Sequence, residues 1–135
     1  MLKLIAIVSI LSSLVFGVDG YEVYKKNCAS CHIEIMKKSE MMKKFNTLKA
    51  PPMIQVAMRL KSQIIIKSED EDVHRHLFML FVKNYIVNPS IDYSLCHPQA
   101  IDTFGIMKSV EGLSQDEKEA VAYWVYDRYE DVDFE

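Results

Sequence analysis

Apolar residues recur every three or four positions along most of this chain, a spacing typical of amphipathic helices. After residue 20 the pattern predicts four helices, over residues 21–31, 53–66, 68–86 and 114–129. Prolines at positions 51, 52 and 89 lie between helices, where they interrupt the winding. Because no stretch alternates apolar and polar residues as a half-buried strand does, the predicted fold class is all-α.

Two of the predicted helices carry an N-terminal capping signal. Ser68 is followed three residues later by Glu71, and Ser114 is followed in the same way by Glu117. In such a capping box, each side chain accepts a hydrogen bond from the backbone N–H of the other residue. We therefore expect the third and fourth helices to begin at these serines.

The other segments have no sustained period. Residues 33–48 mix apolar and basic side chains, and this pattern fits a helix or an ordered loop equally. Residues 90–112 contain a proline and two glycines, a composition that indicates a functional loop rather than a helix. The acidic tail, residues 130–135, is expected to fray.

The first twenty residues have the composition of a secretory signal peptide. Lys3 gives a basic start, residues 4–16 are apolar apart from three serines, and small residues follow at Gly17 and Gly20. Cleavage after either glycine fits the pattern, and an uncleaved membrane anchor is an alternative. We expect a signal peptide at 1–20, a single domain at 21–135, and a periplasmic protein.

Charge and size narrow the range of functions. The formal net charge is −3, with lysines concentrated at residues 37–49 and acidic residues concentrated after residue 110. This mild separation can orient a protein toward a partner, and it gives no reason to expect nucleic-acid binding. A domain of this length buries a modest apolar core, which a bound cofactor would enlarge.

The strongest chemical signal is the run Cys28-Ala29-Ser30-Cys31-His32. A C-x-x-C-H sequence is the attachment signature of c-type haem, in which two thiols bind the porphyrin and the histidine binds the iron. Cysteines three apart on a helical turn lie on one face and can reach neighbouring corners of one porphyrin. The sequence therefore predicts one covalent haem c, with its iron bound by His32. An exported protein is the expected setting for it.

Other chemistries for a C-x-x-C pair find no support elsewhere in the sequence. A thioredoxin-like centre belongs in a βαβ setting, and a zinc site needs a second pair of ligands. The third cysteine, Cys96, has no C-x-x-C partner. A disulfide between Cys28 and Cys31 and an adventitious metal site are the remaining alternatives. Cys96 is expected to be a buried free thiol or an intermolecular bridge.

An iron bound by His32 has a second axial position, and its occupant separates an electron carrier from a ligand-binding haem. Met107 lies in the irregular loop before the last helix, far enough along the chain to reach the opposite haem face. We predict that Met107 is this ligand. His97 and Cys96, which lie in the same loop, are the alternatives.

Taken together, the order of these features resembles the class I monohaem cytochromes c. Tyr24 precedes the motif by four residues, a proline-containing stretch follows it, and a loop methionine comes before a capped last helix. The resemblance implies a helical fold wrapped around one covalently attached haem, with the first and last helices crossing at a haem edge. It also implies that Pro51 or Pro52 offers its carbonyl to His32, and that Tyr24 and Trp124 pack at the helix crossing or the haem edge. Ordinary packing in the aromatic core is the alternative for both residues.

These features predict a non-enzymatic electron-transfer protein. One electron would pass at an exposed haem edge to transient protein partners, membrane or periplasmic oxidoreductases, while the iron keeps both His32 and Met107. Membrane contact would occur only through partners or an uncleaved N-terminal segment. Alternatives are a haem enzyme or gas-binding protein with an open sixth site, and a cytochrome subunit of a larger redox complex.

Overall fold

The computed structural model describes residues 17–67 and 70–135. Most of the predicted signal peptide, residues 1–16, and the predicted Ser68 cap lie outside the described residues. Within those two ranges the chain forms six α-helices, one 3-10 turn and no strand, which confirms the all-α class. The elements are α1 (Gly20–Asn27), α2 (Lys38–Lys44), the 3-10 turn (Phe45–Thr47), α3 (Met53–Gln63), α4 (Glu71–Tyr85), α5 (Pro98–Phe104) and α6 (Gln115–Asp127).

Polar side chains set where the longer helices begin. The Asp19 carboxylate caps α1, so this helix starts one residue before the predicted domain boundary. The Asp70 carboxylate accepts from two backbone N–H groups of the first turn of α4, which therefore begins two residues later than a Ser68 cap would place it. Ser114 and Glu117 form the predicted capping box at the start of α6.

The last helix, α6, is the centre of the fold. It packs along α1 and α4 and touches α3. Its buried face meets apolar residues of all three, among them Val23, Ile54 and Phe78. None of the helices in the described ranges is long and apolar enough to cross a membrane.

The crossing of α1 and α6 depends on a glycine. A Cβ atom at Gly20 would lie 2.1 Å from the Ala120 carbonyl oxygen and 2.6 Å from Trp124 Cβ, so no larger residue fits there unless the helices separate. One turn later, Tyr24 stacks on Trp124 with ring centroids 4.6 Å apart. This contact confirms that Tyr24 and Trp124 lie where the first and last helices cross.

The loop prediction for residues 90–112 is wrong in part, because α5 forms inside it. The His97 side chain caps α5, and Pro98 occupies the first turn. Proline is well suited to this position, since its missing N–H would have no partner inside the helix. Gly105 then ends α5 with a φ of +71°.

The C-terminal tail is ordered, so the prediction that it frays is wrong. The Glu135 carbonyl accepts a hydrogen bond of 2.9 Å from the Lys38 N–H at the start of α2. Val132 and Phe134 pack against the core. Apolar residues at alternate positions of the acidic stretch hold the tail against the body of the protein.

The pattern of residues 33–48 fits a helix or an ordered loop, and the structure contains both. An ordered loop comes first, and α2 follows it.

Candidate haem-attachment site

The C-x-x-C-H motif follows α1 directly and continues its winding for one more turn. The N–H groups of Cys28 and Ala29 both bond the Tyr24 carbonyl, at 2.8 and 3.0 Å. Those of Cys31 and His32 both bond the Cys28 carbonyl, at 3.1 and 2.9 Å. Although α1 ends before the motif rather than at Cys31 as predicted, this turn keeps the two cysteines in a helical arrangement.

The two thiols have different surroundings. Both cysteines are free, Cys31 is exposed, and Cys28 packs against the core. Burial, together with the charge of the nearby Cys31, raises the pKa of the Cys28 thiol to about 11. The Cys28 sulfur is therefore a protonated thiol at neutral pH, anchored on the inner side of the turn.

The His32 imidazole is fixed by a backbone carbonyl. Its Nδ1 lies 2.7 Å from the Pro51 oxygen. Because a carbonyl only accepts, Nδ1 carries the proton and Nε2 keeps its lone pair free for a metal. Burial lowers the pKa of His32 and outweighs the opposite effect of the Pro51 bond, so the ring is kept neutral, as metal binding requires. Of the two prolines that the resemblance allowed, Pro51 makes this contact.

The backbone that carries His32 is held by two tyrosine hydroxyls. Tyr24 donates to the His32 carbonyl at 2.7 Å, and Tyr129 donates to the Glu34 carbonyl at 2.8 Å. Burial, with a contribution from the Glu34 charge, raises the pKa of Tyr24 to about 12 and also raises the pKa of Tyr129. Both hydroxyls therefore remain protonated donors over the physiological range.

A cavity of about 490 Å³ lies beside this segment, between α2, α3 and the first part of α5. Pro51, whose carbonyl holds His32, is part of its wall. The lining is largely apolar and rich in sulfur and aromatic side chains, including Met41, Met58, Phe45 and Phe134. A cavity of this size and character is typical of a site for an organic cofactor.

One polar atom in the cavity wall lacks a partner. Gln55 lines the cavity from α3, and its Oε1 is buried without a hydrogen bond to any described residue. Buried polar atoms in native proteins are nearly always bonded to protein, water or ligand. Because the Oε1 atom is itself buried, it does not face the open space of the cavity.

Met107 lies in the loop that joins α5 to α6, and it is half-buried. The loop is tied to the end of α4 just after the methionine: Ser109 Oγ donates to the Val87 carbonyl at 2.6 Å, and the Val110 N–H donates to the Ile86 carbonyl at 2.7 Å. Met107 is not among the described residues that line the cavity.

The two alternative ligands, His97 and Cys96, do line the cavity. However, His97 Nδ1 accepts from the Gln99 N–H at 3.2 Å, which places the ring proton of a neutral His97 on Nε2. Binding iron through Nε2 would remove the cap of α5, and this disfavours His97 as a ligand. Among residues 17–67 and 70–135, no three His, Cys, Asp or Glu side chains come together as a metal-binding group.

Comparison with known proteins identifies a relative. An uncharacterized protein of Aquifex aeolicus (strain VF5) is 42% identical over an alignment that covers 87% of this chain and 82% of the relative. The chain belongs to the family of this Aquifex protein. No protein-family model matches the chain, and no solved structure matches it.

The sequence located part of this site and missed the rest. Cys28, Cys31 and His32 lie together in one turn, and Pro51 joins them through the imidazole. Tyr129 was visible only as one more aromatic residue of the last predicted helix. Its role has no local signal, because it depends on a contact between elements far apart in the chain.

Proposed function

We propose that this protein is a periplasmic electron carrier that holds one c-type haem through Cys28 and Cys31. The observation that carries the proposal is the hydrogen bond between His32 Nδ1 and the Pro51 carbonyl. It leaves Nε2 of a neutral imidazole available next to two free thiols. A disulfide or a thioredoxin-like centre would need no histidine fixed in this way.

The residues present fit a covalently bound haem. Two free thiols and one oriented imidazole are the donor set that this group requires. The apolar cavity beside Pro51 would receive part of the porphyrin, and its volume falls in the range of about 300–1,000 Å³ found for cofactor sites.

Attachment would use the two thiols without an oxidant. Both Cys28 and Cys31 are free, so each thiol could add across one vinyl group of the porphyrin, with its hydrogen passing to the other vinyl carbon. The two thioethers would hold the cofactor next to α1.

When bound, the haem supplies one-electron Fe(III)/Fe(II) chemistry. His32, through Nε2, and Met107, through its sulfur, would hold the iron. A thioether is a soft ligand that favours the ferrous state and raises the potential. While His32 and Met107 both held the iron, no position would be open to a substrate, so the proposed role is electron transfer.

The proposed partners are other redox proteins, bound transiently. Lysines at positions 37, 38, 43, 44 and 49 are all exposed and lie on and around α2. A basic surface of this kind attracts an acidic partner and speeds encounter without requiring a tight complex. Nothing in the charge distribution favours nucleic acid.

The proposed location requires export, and the fold favours one of the two cleavage sites. Cleavage after Gly20 would remove both the Asp19 cap and the glycine at the α1–α6 crossing. Cleavage after Gly17 keeps both. We expect the exported protein to begin at Val18, as measured by N-terminal sequencing or intact mass, and an N-terminus at Tyr21 would contradict this.

The test of the proposal is the mass and spectrum of the exported protein. We expect the wild-type chain, produced with a c-type cytochrome maturation system, to gain the mass of one haem and to show a c-type reduced spectrum. The double variant Cys28→Ser/Cys31→Ser should gain none. Cys96→Ser is the matched control and should keep the haem. Unmodified wild-type mass under these conditions would overturn the proposal.

A second candidate is a cytochrome subunit of a larger redox complex. Val73, Leu77 and Leu80 form an exposed apolar stripe along α4, at the spacing of one helix face. Apolar stripes of this kind are usually covered by a partner. Native purification separates the candidates: a stable complex that protects this stripe would favour the subunit, and a monomeric haem protein would favour the carrier.

A further inference from the structure

We propose that Tyr24 and Tyr129 are positioning residues for His32, whose hydroxyls hold the backbone of residues 32–34 so that the imidazole presents Nε2 in one fixed place. This inference rests on the proposed function, because the position of the ring matters only if His32 binds the iron. Nothing in the C-x-x-C-H motif itself provides this support.

Three consecutive carbonyls in this segment accept hydrogen bonds from other parts of the molecule. The His32 carbonyl accepts from the Tyr24 hydroxyl at 2.7 Å, and the Ile33 carbonyl accepts from the Met53 N–H at 2.7 Å. The Glu34 carbonyl accepts both from the Ile54 N–H at 3.2 Å and from the Tyr129 hydroxyl at 2.8 Å. The donors thus come from α1, the start of α3 and the turn that ends α6.

The aromatic rings of Tyr24 and Tyr129 serve core packing, whereas their hydroxyls bond the His32 segment. Tyr24 is 3% exposed and Tyr129 is 0% exposed, and both rings pack against Trp124. Phenylalanine would supply the same ring packing at no cost for burying a hydroxyl. A buried hydroxyl is maintained where it has a specific partner, and here both partners are carbonyls of the segment that carries His32.

These bonds restrain the backbone at His32, and Pro51 restrains its side chain. The ring bonds the Pro51 carbonyl, and Met53, two residues later, bonds the carbonyl of the residue after His32. The imidazole and the segment are therefore connected to the same part of the chain at two points. If a tyrosine hydroxyl is removed, the segment can shift, and the ring must turn or lengthen its bond to Pro51.

The experiment compares three tyrosine-to-phenylalanine variants of the haem-loaded, full-length exported protein. Tyr24→Phe and Tyr129→Phe each remove one bond to the segment and keep the ring. Tyr126→Phe is the matched control: Tyr126 lies on α6 and is 4% exposed, but its hydroxyl lies 2.9 Å from His74 Nδ1 instead. All three variants lose one buried hydroxyl, so losses of global stability should be similar.

Two measurements separate a positioning role from a merely structural one. Amide exchange at Met53 and Ile54, relative to the global opening rate, should rise about fivefold in Tyr24→Phe and Tyr129→Phe, as the loss of about 1 kcal/mol of hydrogen bonding implies. The low-spin electron paramagnetic resonance signal of the ferric protein, which reports the axial ligand geometry, should shift in Tyr24→Phe. Both quantities should match the wild type in Tyr126→Phe.

The outcomes distinguish failure of this inference from failure of the proposed function. If intact mass shows no haem on the wild-type protein, the proposed function fails, and the positioning role fails with it. If haem is present but Tyr24→Phe and Tyr129→Phe behave like Tyr126→Phe in both measurements, only the positioning role is overturned. The two variants act on different carbonyls, so either one tests the inference if the other does not fold.

Discussion

The segment that carries His32 makes more hydrogen bonds to the rest of the protein than the loop that carries Met107 does. The His32 segment accepts hydrogen bonds from two buried tyrosines and two backbone N–H groups, and its imidazole bonds Pro51. The Met107 loop is tied to the end of α4 by two bonds, both on its C-terminal side. A ligand on the first segment is fixed in advance, whereas one on the second keeps freedom to move. We therefore expect His32 to be the permanent ligand and Met107 the exchangeable one.

The largest effect should follow from His32→Ala, which removes the fixed ligand. A cofactor that binds only the folded state stabilises it, so loss of the iron–histidine bond should lower the amount of haem-loaded protein by about tenfold or more, the equivalent of about 1.4 kcal/mol. The measurement is haem content per exported chain. Lys26→Ala, at an exposed position of α1 outside the cavity lining, is the control. Haem content equal to the wild type would show that the segment does not supply a ligand.

Met107→Ala should have a large effect on the spectrum and a small one on the fold. We expect the protein to accumulate, to bind carbon monoxide when reduced, and to have a lower potential, because the second axial position is then open. Carbon monoxide difference spectra and potentiometry measure these changes. Met36→Ala removes a half-buried methionine close to the motif and should leave both unchanged. A Met107→Ala spectrum identical to the wild type would place the ligand elsewhere.

Gly20→Ala tests the helix crossing that supports the His32 side. The added Cβ would lie 2.1 Å from the Ala120 oxygen, far closer than van der Waals contact allows, so α1 must move away from α6. We expect a loss of about 1–3 kcal/mol in the free energy of unfolding, as for overpacked cores. Lys26→Ala, at an exposed position of α1, is the control for chemical denaturation. Equal midpoints for the two variants would contradict the close approach of α1 and α6.

The smallest effect should come from Ser109→Ala, which loosens the Met107 loop. The variant loses the bond to the Val87 carbonyl, worth about 0.5–1.5 kcal/mol. We expect the reduced protein to bind carbon monoxide faster, because binding requires Met107 to leave the iron. Thr47→Ala loses a similar hydroxyl–carbonyl bond of 2.7 Å elsewhere and serves as the control. If Ser109→Ala bound carbon monoxide no faster than Thr47→Ala, the anchoring role of Ser109 would be wrong.

The fold was predictable where its determinants are local. The periodicity of α1, α3, α4 and α6 comes from packing on one face, and the capping box at Ser114 is a contact between residues three apart. The start of α4 was misplaced because Asp70, two residues after Ser68, competes for the same role and caps the helix. The pattern does not predict α5, because this helix is short and Pro98, which occupies its first turn, is equally typical of a loop.

The reactive residues of the candidate site could be predicted from the sequence, but the hydrogen bonds that hold them in place could not. A five-residue motif places Cys28, Cys31 and His32 in one turn, and its chemistry is evident from the sequence alone. The choice of Pro51 over Pro52 depends on how α3 approaches the motif, and the hydroxyl of Tyr129 acts on a carbonyl 95 residues away in the chain. Contacts of that kind follow from tertiary packing, which periodicity and spacing do not encode.

The most direct test of the central claim is the optical spectrum of the exported protein, first oxidised and then reduced. A carrier with His32 and Met107 as ligands should show a low-spin c-type reduced spectrum and, in the oxidised form, the weak far-red band of methionine sulfur bound to ferric iron. The absence of a c-type haem spectrum would contradict the proposal that the protein binds haem covalently. A c-type spectrum without the far-red band would keep the haem and exclude Met107 as the ligand.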